Sequence, residues 1–99
     1  MKQLLVLHGA LGAQQQFEEL KTLLESQFTV HTLNFEGHGG RTSTAPFSMD
    51  LFVDNVRDYQ QENNLSSCSV FGYSMGGYVA LKFAAKFPGT VNEIVTLGT

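Results

Sequence analysis

The feature that most restricts the fold of this chain is the stretch from Ser69 to Phe87. A short apolar run, Ser69–Gly72 (SVFG) with Cys68 at its margin, reads as a strand. It leads without a linker into Tyr73-Ser74, and then into Met75–Phe87, a helical run that is apolar on most sides and stops at Pro88-Gly89. The junction carries Gly72-Tyr73-Ser74-Met75-Gly76, a G-x-S-x-G pattern that Gly77 extends. With each fixed residue at about 7% usage, the bare pattern starts by chance at about 1 position in 3,000. Its place between a strand and a helix makes it more specific than that. A turn this tight strains the serine backbone, and glycines on either side let strand and helix approach closely. The hydroxyl of Ser74 is thereby thrust out above a sheet, at a helix N-terminus where developing negative charge is favoured. As a plain N-cap, Ser74 would need none of these glycines.

The rest of the chain alternates in the same way. Gln3–His8 is a continuous apolar run ending at Gly9, suited to a strand buried on both faces. Ala13–Ser26 places Ala13, Phe17, Leu20 and Leu24 on one helical stripe. Thr29–Asn34 (TVHTLN) is a second strand, and Glu36–Pro46, with three glycines and a proline, is a long loop. Ser48 is a candidate N-cap for a helix running to about Asn63, with Met49, Phe52, Val53, Val56 and Tyr59 on its apolar side. Glu93–Leu97 (EIVTL) is the fourth strand. Strand–helix alternation implies right-handed crossovers and a parallel sheet. The expectation is an α/β, three-layer αβα fold with about four strands in the order 2-1-3-4. The switch point then lies between the first and third strands, where the loops His8–Gly12 and Gly72–Gly77 emerge.

Composition excludes several classes. Six Lys+Arg against nine Asp+Glu give a net charge of −3 with no basic block, which argues against nucleic-acid or anionic-membrane partners. A single cysteine, Cys68, forbids an internal disulfide, and no residue cluster has metal-ligand spacing. The N-terminal apolar run is too short for a secretory leader or a membrane span, so a cytoplasmic location is expected.

The site expected at the switch point needs a second element. Stabilising an oxyanion takes two N–H donors. Met75 would supply one, and the loop His8-Gly9-Ala10-Leu11-Gly12 after the neighbouring strand offers Ala10 as the other, with Gly9 keeping the backbone accessible. No cofactor and no metal are expected.

These residues resemble the N-terminal half of the α/β-hydrolase family. His8-Gly9-Ala10 resembles its HG oxyanion motif, Gly37-His38-Gly39-Gly40-Arg41-Thr42-Ser43 its next glycine-rich loop, and Gly72–Gly77 its nucleophile elbow. Phe87-Pro88 followed by Val91–Leu97 resembles the run into the following strand. The resemblance implies a serine-dependent acyl hydrolase of carboxylesterase or thioesterase type. Ser74 would be the nucleophile, the Ala10 and Met75 amides would form the oxyanion hole, and a small ester, thioester or related acyl compound would be the substrate. A lyase of the menaquinone-pathway type shares these motifs, and the residues do not separate the two. The family usually carries Asp at the position of Asn34, a departure that bears on loop packing.

The resemblance also implies an acid and then a histidine after the serine. Past Ser74 there is no histidine and one acid, Glu93, expected at the end of the sheet remote from the serine. Residues 1–99 are therefore expected to form a single, incomplete hydrolase domain, short of the lid and of the acid and base, and to lack appreciable triad activity. Such a piece should expose an apolar sheet face and an unpaired edge, through which self-association is expected.

The remaining chemistry-bearing residues read as structural. His8 is expected to order its loop by hydrogen bonding, and His31 lies within a strand. His38 sits in the glycine-rich loop, where a role as replacement base stays open. Asp50, Asp54 and Asp58 mark a solvated helix face, and Cys68 a buried apolar position. Tyr73 and Met75 flank the serine as substrate contacts or as packing. Two other readings stay open. One is a nucleotide-binding module using Gly9-x-x-Gly12 and Glu36, although G-x-G-x-x-G is not met. The other is a non-catalytic relative of the same fold.

Overall fold

A computed structural model describes residues 2–98. Four strands alternate with helices: β1 (Lys2–Leu7), α1 (Glu18–Leu24), β2 (Phe28–Thr32), α2 (Met49–Glu62), β3 (Cys68–Tyr73), α3 (Met75–Lys86) and β4 (Val91–Leu97). All three strand pairings are parallel, in the order β2-β1-β3-β4. The chain thus leaves β1 toward one side, to β2, and returns past it to β3. This puts the exits of β1 and β3 side by side at the switch point.

Register divides the sheet into two faces with period two. Leu5 aligns with Val70, and Val70 with Ile94, on the face covered by α2 and α3. Leu5, Leu7 and Val70 pack there with Phe52, Val53 and Val56 of α2 and Val79, Ala80 and Phe83 of α3, all buried. Val6 aligns with Phe71, and Phe71 with Val95, on the opposite face. There Phe17 meets Phe71 edge-on at 6.4 Å, and Leu20 and Leu24 of α1 border an open apolar groove of about 400 Å³. Val95 and Leu97 stay 59% and 58% exposed, and among the described residues the outer edge of β4 has no strand partner.

Local chemistry explains the ends of the elements. Ser48 caps α2, its Oγ accepting the Leu51 N–H at 3.0 Å. Asp50 and Asp54 on α2 face Lys82 and Lys86 on α3 at 3.0 and 3.8 Å, with side chains half-exposed or more. Exposed pairs of this kind contribute little stability.

Most boundaries fall within one residue of those expected, and three elements differ by more. The stripe of Ala13–Ser26 is split into a 3₁₀ turn, Gln14–Phe17, and α1, because Phe17 leaves helical geometry at φ −105°, ψ 9°. Strand β2 begins at Phe28 and ends at Thr32, leaving Leu33 and Asn34 in the loop. Strand β4 begins at Val91, two residues early. Its pairing steps from Cys68–Val91 to Val70–Ile94, so β4 accommodates one extra residue in a bulge that alternation alone does not signal.

Candidate active site

The site forms where β1 and β3 end. At the β3–α3 junction Ser74 adopts φ 54°, ψ −114°, a backbone conformation L-residues rarely hold. Backbone bonds pin it on both sides: the Ser74 N–H donates to the Leu97 carbonyl at 2.8 Å, and the Gly77 N–H donates to the Ser74 carbonyl at 3.0 Å. The close approach anticipated for the glycines is tight. A Cβ on Gly72 would lie 2.5 Å from the Gly76 oxygen and the Gly77 nitrogen. One on Gly76 would collide with the Leu7 carbonyl oxygen and lie 2.7 Å from that of His8. Strand β1, strand β3 and helix α3 thus meet backbone to backbone, which holds Ser74 half-buried at the head of α3.

The loop after β1 lies against this turn. A Cβ on Gly9 would be 3.3 Å from the Ser74 Cβ and 3.2 Å from the Tyr73 ring. The loop closes on itself through the Gly12 N–H, which donates to the Gly9 carbonyl at 3.0 Å. Leu11 takes φ 60° at its tip and is 98% exposed. Ala10 follows Gly9, and Met75 follows Ser74, so the two expected oxyanion donors flank the contact between loop and turn. Ala10 is exposed and Met75 half-buried.

A polar framework behind the loop holds it. His8 is fully buried, its Nε2 accepting the Phe35 N–H at 3.1 Å and its Nδ1 lying 2.7 Å from the Gly9 carbonyl. This is the expected ordering role. Burial, aided by nearby His38, pushes the His8 pKa below its ordinary value, while the Gly9 bond opposes the shift. Asn34 uses both ends of its amide: Oδ1 accepts the Gln14 N–H at 2.8 Å and Nδ2 donates to the Gly39 carbonyl at 3.4 Å. An aspartate could make only the first bond, so the departure at this position does bear on loop packing.

Other sequence candidates fall away from the serine. His31 braces β1, β2 and α2 through Gln3 and Tyr59, at 2.6 and 2.9 Å, and burial lowers its pKa. Glu93 lies 3.8 Å from Lys2 Nζ, at the start of β1 and so at the far end of the sheet. Cys68 is buried, and burial pushes its thiol pKa up, the setting of an inert cysteine. His38 is buried between His8 and Phe47, with Nδ1 3.1 Å from the Glu36 carbonyl.

One element escaped the sequence reading. Glu36, buried in the loop, accepts from the Thr44 N–H at 2.8 Å, from the Thr44 hydroxyl, and from Asn55 Nδ2 at 2.5 Å. Asn55 in turn accepts the Glu36 N–H at 2.9 Å. These bonds, led by the one from Thr44, hold the Glu36 carboxyl below the usual carboxylate range. Asn55 stands three residues after Phe52, on the apolar stripe of α2, and a polar residue in that place was the available signal. A carboxylate so engaged is turned away from the ribose-binding role that a nucleotide site would give it.

A parallel sheet in this order, a serine held at positive φ between β3 and α3, and a glycine loop touching it from β1 define the α/β-hydrolase class. The family model described as alpha/beta hydrolase fold matches residues 2–99, and the chain belongs to that family. Among curated proteins it is 28% identical to ethanol acetyltransferase 1 of Cyberlindnera jadinii over 92% of this chain and 28% of that protein. It is 31% identical to the human serine hydrolase-like protein over 96% of this chain and 48% of that protein. Among solved structures, a marine microorganism esterase superimposes with a TM-score of 0.91 at 25% identity, covering 96% of this chain and 36% of the other. The chain thus spans less than half the length of these relatives. Among the described residues, no helix is long and apolar enough to cross a membrane.

Proposed function

We propose that the protein is a serine-dependent acyl hydrolase, with Ser74 as nucleophile and the Ala10 and Met75 amides as oxyanion donors. The observation that carries this reading is the contact between Gly9 and Ser74 at the head of α3, with the Ser74 backbone at φ 54°. Ser74 Oγ would attack the carbonyl carbon of a small ester or thioester. The negative charge arising on the carbonyl oxygen would be met by two preorganised N–H dipoles. Collapse of the tetrahedral intermediate would expel the alcohol or thiol, and water would release the acyl group from Ser74.

The Ser74 proton would pass to a general base and on to the departing alcohol or thiol. The likeness to ethanol acetyltransferase 1 favours a second reading, in which an alcohol instead of water accepts the acyl group.

The test is covalent capture with a fluorophosphonate followed by peptide mapping. The expected result is modification confined to Ser74 and lost in Ser74→Ala. Modification elsewhere, or none under forcing concentrations, overturns the assignment of Ser74.

A further inference from the structure

We propose that His8 positions the oxyanion-side loop only in its neutral form with the proton on Nδ1, and that protonating Nε2 releases the loop. The inference rests on the proposed role of that loop and on the bonding of the ring.

The Gly9 carbonyl oxygen is an acceptor, so the His8 nitrogen 2.7 Å away, Nδ1, must carry the hydrogen. The Phe35 N–H is a donor, so Nε2, 3.1 Å away, must present its lone pair. A single tautomer satisfies both groups, and it bridges the loop after β1 to the chain leaving β2. Adding a proton at Nε2 would set one N–H against another in a fully buried position. The Phe35 amide would lose its acceptor, and the cation would gain none.

The surroundings give the cation no relief. From the loop after β2, His38 faces the ring at 5.0 Å and Phe35 meets it edge-on at 4.8 Å. Glu36, on the same loop, has its carboxylate engaged by Thr44 and Asn55. From α3 the neighbour is the backbone at Gly76, which lies against the Leu7 and His8 carbonyls. Protonation is therefore met by displacement of the ring, and Gly9 is bonded directly to it. Because Gly9 lies against Ser74 and precedes Ala10, the loop would move away from the serine.

Imidazole nitrogen resonances and backbone amide shifts of the isotope-labelled protein, followed from about pH 8 to about pH 5, test this. The expected result is the Nδ1–H tautomer at the alkaline end. On acidification the amides of Phe35, Gly9 and Ala10 should move together with the His8 ring. In His8→Gln, a neutral side chain with both a donor and an acceptor, the same amides should stay still over this range. An Nε2–H tautomer, a ring that stays neutral throughout the range, or a titration that leaves these amides unmoved overturns the proposal; should His8→Gln fail to fold, the wild-type spectra alone decide. No turnover is read, so the loop's behaviour is judged separately from the identity of the nucleophile.

Discussion

The α-carbon of Gly76 lies so close to the Leu7 carbonyl oxygen that a single added methyl group would overlap it. This contact joins α3 to β1 and sets the height at which Ser74 emerges. Gly76→Ala and Gly72→Ala should each destabilise the fold by about 1–3 kcal/mol or more, the cost of overpacking a site that cannot yield. Urea denaturation midpoints measure this. A midpoint within error of wild type for both variants would mean that the backbones have room for a methyl group.

The strained backbone of Ser74 makes a separate prediction. Glycine accepts positive φ and alanine does not, so Ser74→Gly should be more stable than Ser74→Ala by about 1 kcal/mol. Both variants should lose covalent capture by a fluorophosphonate. Equal denaturation midpoints would mean that the residue relaxes from φ 54°.

Glu36 and Asn55 should reveal themselves through pH. The Glu36 carboxyl is held below its ordinary 4.5, first by Thr44 and then by Asn55. Its charged form is therefore favoured by folding. The stabilisation is complete above about pH 4.5 and is lost as pH falls through the folded value. Glu36→Gln should cost about 1.5–3 kcal/mol near neutrality, the scale of a hydrogen bond to a charged group. Its deficit relative to wild type should shrink in acid. A deficit that stays constant with pH would assign the loss to packing.

The groove beside Val95 should govern self-association. Val95 and Leu97 are largely exposed, and among the described residues the outer edge of β4 is unpaired. Sedimentation should show association that rises with concentration, and Val95→Lys should weaken it by placing a charge on the apolar face. Concentration-independent monomers of the wild-type chain would contradict this.

Much of the architecture was legible because period and punctuation are local properties. The run Leu4–Leu7, the stripe of α2 and the glycines around Ser74 each announce an element from neighbouring residues. A parallel sheet follows from strand–helix alternation, and the order 2-1-3-4 is the one that puts a switch point between the two glycine-rich strand exits. The beginning of β4 at Val91 was not legible, because its bulge is defined by the partner strand. Neither was the split of the first helix at Phe17, where the ring packs on Phe71 across the sheet face.

The same division runs through the site. Ser74, Met75 and Ala10 could be proposed from spacing, since strand, turn and helix lie within one short stretch and the glycine loop ends a recognisable strand. What tertiary structure decided is the framework that holds them. His8 reaches Phe35, Asn34 reaches Gln14, and Glu36 reaches Asn55, each across at least 19 positions of sequence. Buried polar groups must find partners wherever folding brings them. Those partners are set by the three-dimensional meeting of β1, the loop after β2 and α2, and no local pattern encodes it.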